Sequence, residues 1–476
     1  MLIRAGQPQA TGILERGACM FIDRSELLLN NRSQLNYGIA VTDVDGDGLF
    51  ELFVAGFTNA PNLVLKWTGR HYEDIADPVL SDPERQAIGV AACDVDGDGL
   101  EEIYVLNTDT FAGQKRFADR LFDCIDGEWT DLFSLRDNQA TLNLTAGRSV
   151  ACVDRSGGGV YGFFVANYGG PMRLYEMDED GHLLDRAAEA GVARVTGGRS
   201  VVALPLVSDH MDIFVGNEGG ANFLFRNNGD GTFSEVARTM GLGDPRYNAR
   251  GVSALDANED GRFDLVVSNW EGPHRLFLQT NNGPWRNIAS QEMSTPSRVR
   301  TVLSADFDND GYEEIFFNNI GEPNRLFGRR GGMRWLPLEV GDALEPEGLG
   351  TGAAYADLDG DGRLELFITH GEMGLQPISI FHTPNNGNHF LRVLPLTCHG
   401  APARGAVVSV TAGGRVQRRV IDAGSGYLCQ MEPVAHFGLG PLTAVECIEV
   451  RWLDGATVVL DTPGIDRLVR MEYPRK

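Results

Sequence analysis

An acidic segment of nine residues recurs five times in this chain of 476 residues, each time directly before a short apolar run. An acid or amide occupies positions 1, 3 and 5 of the segment, and another acid occupies position 9. The copies are DVDGDGLFE from Asp43, DVDGDGLEE from Asp94, DANEDGRFD from Asp256, DFDNDGYEE from Asp306 and DLDGDGRLE from Asp357. Five copies in one register indicate a repeated structural unit.

The spacing of the copies gives the size of that unit. Successive copies lie 50 or 51 residues apart, except between Asp94 and Asp256, where the interval is 162 residues. That interval holds two further repeats, which begin GRSVACVDRSGGG at Gly147 and GRSVVALPLVSDH at Gly198 and lack most of the acids. Seven repeats with a period near 50 are typical of a propeller or a solenoid.

Oxygen ligands on alternate residues suit calcium, which takes roughly six to eight hard oxygen ligands at about 2.3 to 2.6 Å. We predict that the side chains at positions 1, 3, 5 and 9 and the backbone carbonyl at position 7 converge on one Ca²⁺ per copy, about five ions in all. The predicted ligands are Asp43, Asp45, Asp47, Leu49 and Glu51; Asp94, Asp96, Asp98, Leu100 and Glu102; Asp256, Asn258, Asp260, Arg262 and Asp264; Asp306, Asp308, Asp310, Tyr312 and Glu314; Asp357, Asp359, Asp361, Arg363 and Glu365.

Without a cation, each acidic loop would repel itself. Two carboxylates about 4 Å apart repel by roughly 4 kcal/mol at an effective dielectric constant near 20. A bound cation turns that repulsion into a cross-link, and Gly46 and Gly48 let the first turn close around it. The two degenerate copies, around Asp154 and Asp209, are predicted to bind no metal.

Two other interpretations of the acidic segments are an EF-hand and a solvated turn. An EF-hand needs a bidentate Glu at position 12 and flanking helices. Apolar strands such as LFVAGF and LVVSN follow the segments instead, and a solvated turn accounts for one copy better than for five in register. Position 12 is apolar in every copy: Val54, Val105, Val267, Phe317 and Ile368.

Each repeat contains four predicted strands: a small-residue strand, the apolar strand, a third strand such as PNLVLKW from Pro61, and a short outer strand. The outer strand has the signature of YEDIA from Tyr72, and six copies follow their own repeat. A seventh, FIDRS from Phe21, precedes the first repeat. The segment near 18–26 is therefore predicted to complete the last blade, closing an all-β, seven-bladed β-propeller over residues 1–386.

The sequence pattern changes after residue 386. Residues 388–473 contain alternating strands such as HFLRVLPL, AVVSVTA and CIEVRWL, with Gly-rich turns between them. We therefore predict a small β-sandwich domain over residues 387–476, which is long enough to fold by itself.

Several long motifs carry a family resemblance. The acidic repeats resemble the FG-GAP or VCBS repeats of integrin α-subunit propellers, and ARGAVVSV, IDAGSGYLCQMEPVAHFGLG and VRWLDG resemble the ASPIC/UnbV domain. Together with YGIAVTDVDGDG, NWEGPHRLFLQ and GDALEPEGLGTG, they make the chain similar to the cartilage acidic protein family over nearly its whole length.

The resemblance implies a propeller of the integrin-α type in a secreted, calcium-binding glycoprotein of the matrix or cell surface. Unlike the animal members, this chain shows no hydrophobic signal peptide and no Cys-rich EGF-like tail after Tyr473. We therefore expect a microbial relative or a trimmed mature form.

Charge and calcium chemistry restrict the partners and the compartment. The chain has 41 Lys and Arg against 66 Asp and Glu, a formal net charge of −25. This acidity argues against nucleic acid as a partner, and no apolar run reaches the roughly 18 residues that membrane insertion requires. Calcium sites with dissociation constants of about 0.1 to 1 mM fill outside the cytosol, so we expect an extracellular or periplasmic protein.

The seven cysteines show neither a zinc-binding spacing nor a disulfide framework. Cys93 and Cys152 fall in predicted strands, where we expect buried thiols. A disulfide between two of Cys398, Cys429 and Cys447 stays open at this point.

We predict that the chain is not an enzyme and has no catalytic or organic-cofactor residues. It contains no HExxH, GxSxG or P-loop motif and no GxGxxG between strand and helix. The predicted function is a calcium-stabilised interaction or adhesion protein that binds a protein or glycan. Two alternatives stay open: a metal-dependent enzyme with a site at the mouth of the propeller channel, and self-assembly.

Overall fold

The computed structural model describes residues 19–281, 283–330 and 332–474. Within them, seven antiparallel blades are followed by a domain of two β-sheets. The predicted fold class, an all-β seven-bladed propeller followed by a small β-sandwich, is confirmed. Residues 1–18 and 475–476 of the predicted domains lie outside the described residues.

Each blade has four strands, ordered from the central channel outward. Blade 1 consists of Asn36–Thr42, Glu51–Gly56, Leu63–Trp67 and Tyr72–Asp74, and blade 2 of Ala87–Cys93, Glu102–Asn107, Arg120–Ile125 and Glu128–Asp131. Blade 3 consists of Gly147–Val153, Gly162–Pro171, Arg173–Met177 and Leu183–Asp185, and blade 4 of Val195–Leu204, Asp212–Asn217, Phe223–Asn227 and Phe233–Glu235. Blade 5 consists of Ala249–Leu255, Asp264–Asn269, Arg275–Leu278 and Arg286–Asn287, and blade 6 of Val299–Ala305, Glu314–Asn319, Arg325–Arg330 and Arg334–Leu338. Blade 7 consists of Gly350–Ala356, Glu365–His370, Ser379–His382 and Ile22–Asp23.

Helices are short and lie between strands. The described residues contain an α-helix at Pro78–Ser81 and 3-10 helices at Ser25–Leu27, Leu132–Ser134, Arg136–Thr141 and Asp342–Leu344. None of the described helices has the length and apolar character to cross a bilayer.

The second strand of a blade explains the apolar run that follows each acidic segment. Strands such as Glu51–Gly56 and Glu314–Asn319 are buried along their whole length. Neighbouring blades cover both faces of these strands, so their side chains are apolar without alternation. The acidic loop sits at the start of this strand, which fixes the position of its ninth residue.

The N-terminal segment supplies the outer strand of blade 7. Ile22 pairs with His382 and Asp23 pairs with Phe381 in an antiparallel ladder. The ring of Phe21 is fully buried and its centroid lies 5.1 Å from that of Phe307 in blade 6. The two ends of the propeller sequence are thus joined by strand pairing and by packing against the preceding blade.

Blades 3 and 4, which lack most of the acids, are joined into one eight-stranded sheet. Their strands Gly162–Pro171 and Val195–Leu204 extend beyond the blade, and Tyr168 pairs with Gly197 while Pro171 pairs with Val195. This backbone pairing links the two blades for which no metal is predicted.

The C-terminal domain is a sandwich of a three-stranded and a four-stranded sheet. The strands are, in sheet order, Ala435–Gly440, His389–Pro395 and Leu468–Met471, and Arg415–Val420, Val407–Ala412, Cys447–Arg451 and Thr457–Asp461. Apolar residues of both sheets, such as Leu391 and Val450, form one buried core. The boundary at residue 387 stays a prediction.

One part of this domain, residues 422–432, enters the central channel of the propeller; we name it the channel segment. Gln430 exchanges backbone hydrogen bonds with Ile39 and Val41 of blade 1 at 2.8 and 3.2 Å. Gly426 exchanges two bonds of 2.7 Å with Val252 of blade 5. Further backbone bonds reach blades 2 and 3. The channel segment therefore satisfies backbone groups of innermost strands on several sides of the ring.

The glycines of the GSGY motif fit the channel segment between those strands. A β-carbon on Gly424 would lie 2.8 Å from the Cα of Ala151, and one on Gly426 would lie 2.8 Å from the Cγ2 of Thr301. Gly424 and Gly426 also have φ of 126° and 66°, which favour glycine. Ser425 between them is buried in the turn.

A buried ion pair anchors the sandwich to the propeller. The guanidinium of Arg404 donates from Nε and Nη2 to the carboxylate of Glu101 at 2.6 and 3.0 Å. It also donates to the carbonyls of Asp422, Met431 and Val41 at 2.8, 3.3 and 3.0 Å. Arg404 is fully buried, so its charge depends on these partners.

None of the seven cysteines forms a disulfide, and all lie within the described residues. Cys398, Cys429 and Cys447, for which the sequence left a disulfide open, are free thiols. Cys93 and Cys152 are fully buried.

Replacing Arg404 is expected to destabilise the protein strongly. Arg404→Met should lower the free energy of unfolding by about 3 to 5 kcal/mol, because the Glu101 charge would stay buried without its partner. Urea unfolding measures the change. Arg186→Met is the control, since Arg186 pairs with the exposed Glu189 at 3.1 Å and should cost less than about 1 kcal/mol. Equal losses in the two variants would contradict the anchoring role.

His274 of blade 5 makes a bond that asparagine makes in other blades. Its Nδ1 accepts the backbone N–H of Asn269 at 3.0 Å. In blade 4 the side-chain oxygen of Asn222 accepts the backbone N–H of Asn217 in the same way. In blade 6 the side-chain oxygen of Asn324 accepts the backbone N–H of Asn319. Burial, with the charges of Arg325 and Arg275, lowers the pKa of His274 to about 3. The folded protein therefore keeps this imidazole neutral.

We expect His274→Asn to reduce acid sensitivity. Below about pH 6.5 the unfolded chain binds a proton at His274 that the folded chain excludes, so this residue removes up to about 1.4 kcal/mol of stability per pH unit until its folded pKa is reached. Urea unfolding at pH 7.5 and pH 5 should show a smaller loss for the variant than for the wild type. Identical losses would contradict a buried neutral His274.

Candidate metal centre

The five acidic loops share one hydrogen-bond pattern. In the first loop, Oδ2 of Asp43 accepts the N–H of Gly48 at 2.8 Å, and Oε2 of Glu51 accepts the N–H of Val44 at 2.8 Å. The equivalent bonds in the other four loops measure 2.8 to 3.1 Å and 2.6 to 3.1 Å. Positions 1 and 9 therefore hold the turn in every loop. Asp94 and Asp256 accept a further loop N–H on their second oxygen, and Oδ1 of Asp264 accepts the N–H of Gln279.

Position 5 makes a third common bond. Oδ1 of Asp47 accepts the N–H of Leu49 at 2.9 Å, and the four equivalent bonds measure 2.8 to 3.0 Å. The backbone N–H of position 7 is thus fixed in every loop. Its carbonyl, assigned as a ligand at Leu49, Leu100, Arg262, Tyr312 and Arg363, stays a prediction.

In three of the loops, a second carboxylate oxygen is left for another partner. Among the described residues, several of these oxygens are buried and accept no hydrogen bond. They are Oδ1 of Asp43, Asp306 and Asp357 and Oε1 of Glu314. Oε1 of Glu51 lies 3.2 Å from Nζ of Lys66, which partly satisfies it. A buried acceptor without a partner is costly, so the loops contain oxygen atoms suited to a cation.

The backbone of the loops explains the glycines of the motif. At positions 4 and 6 of every loop, φ lies between 56° and 95°. Position 6 is always glycine, whereas position 4 is Asn309 in the fourth loop and Glu259 in the third. Asparagine tolerates this conformation, but a glutamate there is strained by about 1 to 2 kcal/mol.

Three of the loops contain groups of predicted ligands that lie close together. Their ligand atoms lie within 4.8 Å of one another in three groups, namely Asp43, Asp45 and Glu51; Asp94, Asp96 and Glu102; and Asp357, Asp359, Asp361 and Glu365. Asp47 and Asp98 are not members of the first two groups. In the loops from Asp256 and Asp306, the shared hydrogen bonds place the acids in the same turn.

Burial and mutual repulsion make these carboxyl groups weak acids. Burial first, and then the charge of neighbouring carboxylates, raises the pKa of Glu51 to about 7, of Asp94 to about 6, of Asp264 to about 7, of Asp308 to about 7 and of Asp359 to about 6. Each loop thus concentrates negative charge that a cation would relieve.

The structure adds residues that the sequence pattern missed. They lie on the third strand of a blade, opposite the acid at position 9. In blade 1 this residue is Lys66, whose Nζ lies 2.5 Å from Asp45, 2.6 Å from Asp47 and 3.2 Å from Glu51. Its ammonium group neutralises the first loop in part.

In blades 2 and 7 the same position carries possible ligands. It is Asp123 in blade 2, where burial and the charges of Asp96 and Asp98 raise its pKa to about 6. It is His382 in blade 7, whose ring nitrogen lies within 4.8 Å of ligand atoms of Asp359 and Glu365. The five loops therefore share a backbone but differ in charge.

The degenerate loops satisfy their acids with amides. Asp154 of blade 3 accepts the N–H groups of Ser156, Gly157, Gly158 and Gly159 at 2.6 to 3.1 Å. Asp209 of blade 4 instead pairs at the surface with Arg451 at 3.0 Å.

In blade 4, Asp212 stands at the position of the ninth-residue acid. It accepts the N–H groups of Val207 and Ser208 at 2.7 and 2.8 Å. Backbone donors thus take the place of a cation in blades 3 and 4.

The loops face the sandwich domain. Nη2 of Arg470 donates to the carbonyl of Gly48 at 2.8 Å, and Nη2 of Arg415 donates to that of Gly311 at 2.7 Å. Nη1 of Arg392 lies 2.9 Å from Oδ2 of Asp357. The sixth residue of a loop therefore serves twice, since its N–H holds the turn and its carbonyl binds the second domain.

The donor set fits a hard divalent cation. Apart from His382, the ligand atoms grouped in these loops are carboxylate oxygens, and the nine-residue loops contain no cysteine. Oxygen ligands of this kind suit calcium rather than zinc or copper.

Sequence comparison gives the class of protein that this fold and these loops define. The family profile of the FG-GAP-like repeat matches residues 43–105, 208–267, 256–317 and 306–368. The profile described as ASPIC and UnbV matches residues 398–476. The chain is thus an FG-GAP repeat propeller joined to an ASPIC/UnbV domain.

Relatives narrow that class to one family. Cartilage acidic protein 1 of Xenopus tropicalis is 50% identical over 487 residues, covering 94% of this chain and 75% of the relative. The Homo sapiens protein of that name is 48% identical over 487 residues, covering 94% and 73%. The chain belongs to the cartilage acidic protein 1 family. Among solved structures, the crystal structure of BBS1N in complex with ARL6DN, soaked with mercury, is 11% identical with a TM-score of 0.47, covering 78% of this chain and 98% of that one.

Proposed function

We propose that this protein is a calcium-stabilised, non-catalytic interaction protein of an extracellular or periplasmic setting. The observation that carries the proposal is the set of buried carboxylate oxygens left without a hydrogen bond after the loop amides are satisfied. Its relatives are named for cartilage, a tissue rich in extracellular matrix, which supports a compartment with abundant calcium.

The residues at positions 1, 3, 5 and 9 of the five loops would hold about five Ca²⁺ ions. Calcium supplies positive charge that replaces carboxylate repulsion with shared coordination. At roughly millimolar calcium, a site with a dissociation constant of about 0.1 to 1 mM stabilises the fold by about 0.4 to 1.4 kcal/mol. Because the loop carbonyls bind Arg415 and Arg470, ordering a loop also orders the contact with the sandwich.

Binding of a protein or glycan fits this architecture better than catalysis. A metal-dependent enzyme at the channel mouth requires acids converging there. Instead, the channel segment lies in the channel, and the cavity at the mouth is lined by Arg148, Arg199 and Arg300. Its two acids, Asp109 and Glu372, are each paired with an arginine, so the cavity disfavours a metal cation. The interaction function is therefore the better supported of the two.

Asp359→Ala is expected to remove one calcium site. Calorimetric titration should find one site fewer than in the wild type, and melting in calcium should show a loss of about 1 kcal/mol. In EGTA the variant should be at least as stable as the wild type, because it lacks one repelling carboxylate. Asp209→Ala, in a degenerate loop, is the matched control and should change neither quantity. An unchanged stoichiometry in Asp359→Ala would refute the ligand assignment.

Lys66→Met is expected to strengthen calcium binding at the first loop. The ammonium group of Lys66 competes with a cation for Asp45, Asp47 and Glu51, so its removal should enlarge the rise in melting temperature between EGTA and calcium. The exposed Arg70→Met in the same blade controls for loss of a surface charge. A calcium response equal to that of the wild type would show that Lys66 does not oppose the ion.

A further inference from the structure

A ring of arginines stands at the mouth of the propeller channel. The innermost strand of every blade carries a β-bulge near its start. A bulge redirects a side chain, and here it marks equivalent positions around the channel. From blade 1 to blade 7 these positions are Tyr37, Ile88, Arg148, Arg199, Arg250, Arg300 and Thr351. Four successive blades thus present arginine; we name these four residues the arginine ring.

The arginine ring is buried and only partly neutralised. The exposed fractions of Arg148, Arg199, Arg250 and Arg300 are 8%, 2%, 4% and 9%. Glu218 pairs with both Arg199 and Arg250, the latter at 3.2 Å. This single carboxylate serves two guanidinium groups.

Two other members of the ring differ in their partners. Arg300 pairs with Glu372. Arg148 has hydrogen bonds to the carbonyls of Thr110 and Phe111 and no ion pair among the described residues. Asp109 lines the same cavity but is paired with Arg116. The four guanidinium groups of the ring thus face two carboxylates, which leaves two positive charges in a protein whose net charge is −25.

The guanidinium groups are held by aromatic rings. That of Arg199 lies 4.9 Å from the ring centroid of Phe111 and 4.7 Å from that of Tyr168. That of Arg300 lies 4.5 Å from the ring centroid of Trp270. Such stacking fixes the orientation of arginine side chains before any ligand arrives.

Tyr427 of the channel segment completes the cluster. Its hydroxyl lies 3.5 Å from Nη1 of Arg199. Burial acts to raise the pKa of Tyr427, but the positive charges of the four arginines outweigh burial and leave the pKa below its usual value. The phenol thus experiences the excess positive charge of the ring.

A cavity of about 300 Å³ opens between these groups. Its lining includes Arg148, Arg199, Arg300 and Tyr427, together with the acids Asp109 and Glu372 and the exposed ring of Phe111. Nε of Arg148, Arg250 and Arg300 is buried and makes no hydrogen bond to any described residue. The cavity therefore combines space with excess positive charge.

We propose that this cavity binds a ligand of sugar size whose oxyanion groups carry two negative charges, as in a phosphate monoester or a doubly sulfated sugar. Guanidinium groups bind such oxyanions through paired N–H donors, and the hydroxyl of Tyr427 adds another donor. A volume near 300 Å³ is at the lower end of ligand-binding pockets, which suits a monosaccharide. The site is independent of the calcium loops.

Isothermal titration tests the proposal, at 1 mM calcium and constant ionic strength. The probes are inorganic sulfate, glucose 6-phosphate and a disulfated disaccharide, with sodium chloride as the reference salt. At least one oxyanion should bind with a 1:1 stoichiometry. Arg148→Gln should weaken binding at least about tenfold. No carboxylate among the described residues neutralises the Arg148 guanidinium, so its full charge acts on the ligand. Glu218→Gln should tighten binding by increasing the excess charge. The exposed Arg136→Gln is the control and should bind as the wild type does.

The outcomes distinguish the two classes of ligand from each other and also test the proposal itself. Binding of glucose 6-phosphate alone identifies a phosphate site, and binding of the disaccharide alone identifies a sulfated-glycan site. Absence of specific binding by every probe, or equal affinity in Arg148→Gln and wild type, overturns the proposal. If Arg148→Gln fails to fold, unchanged affinity in Glu218→Gln overturns it instead. Melting in sodium chloride reports whether each variant is folded.

Discussion

The backbone pairing between the channel segment and the innermost strands determines how the rest of the molecule is arranged. Residues 422–432 bond to inner strands of several blades, and these bonds set the position of the sandwich on the ring. That fixed position brings Arg404 to Glu101 and sets the face of the sandwich against the acidic loops. It also places Tyr427 among the four arginines. Buried backbone groups need partners, and here a second domain provides them.

The acidic loops show two solutions to one electrostatic problem. Every blade has an acid in the loop that joins its first and second strands or at the first residue of the second strand. In blades 3 and 4, backbone N–H groups surround Asp154 and Asp212. In the other five blades the acids at positions 1 and 9 also accept amides, but three of these loops keep buried carboxylate oxygens without a hydrogen bond. In blade 1 the ammonium group of Lys66 provides a cation within the protein. The blades without metal ligands gain instead a shared eight-stranded sheet.

Much of the fold follows from the sequence because the repeat period, strand signatures and turn glycines all repeat. The residues at positions 1 and 9 were identifiable because their spacing is local. Lys66 and His382 were not, since they join the loops through strand register and differ in type from blade to blade. The arginine ring does leave a signal, an arginine near the start of four consecutive inner strands. Its meaning depends on the bulges and on Tyr427, which belongs to another domain.

Closure of blade 7 by Ile22 and Asp23 has a consequence for biosynthesis. The pairing partner of Ile22 is His382, so 360 residues separate the two sides of the seam. At about 5 to 20 residues per second, the ribosome needs roughly 20 to 70 s to produce the partner after Ile22 emerges. During that time blades 1 to 6 form an open arc with exposed sheet faces at both ends. Nascent chains of this protein are therefore most prone to aggregation before translation reaches the seam.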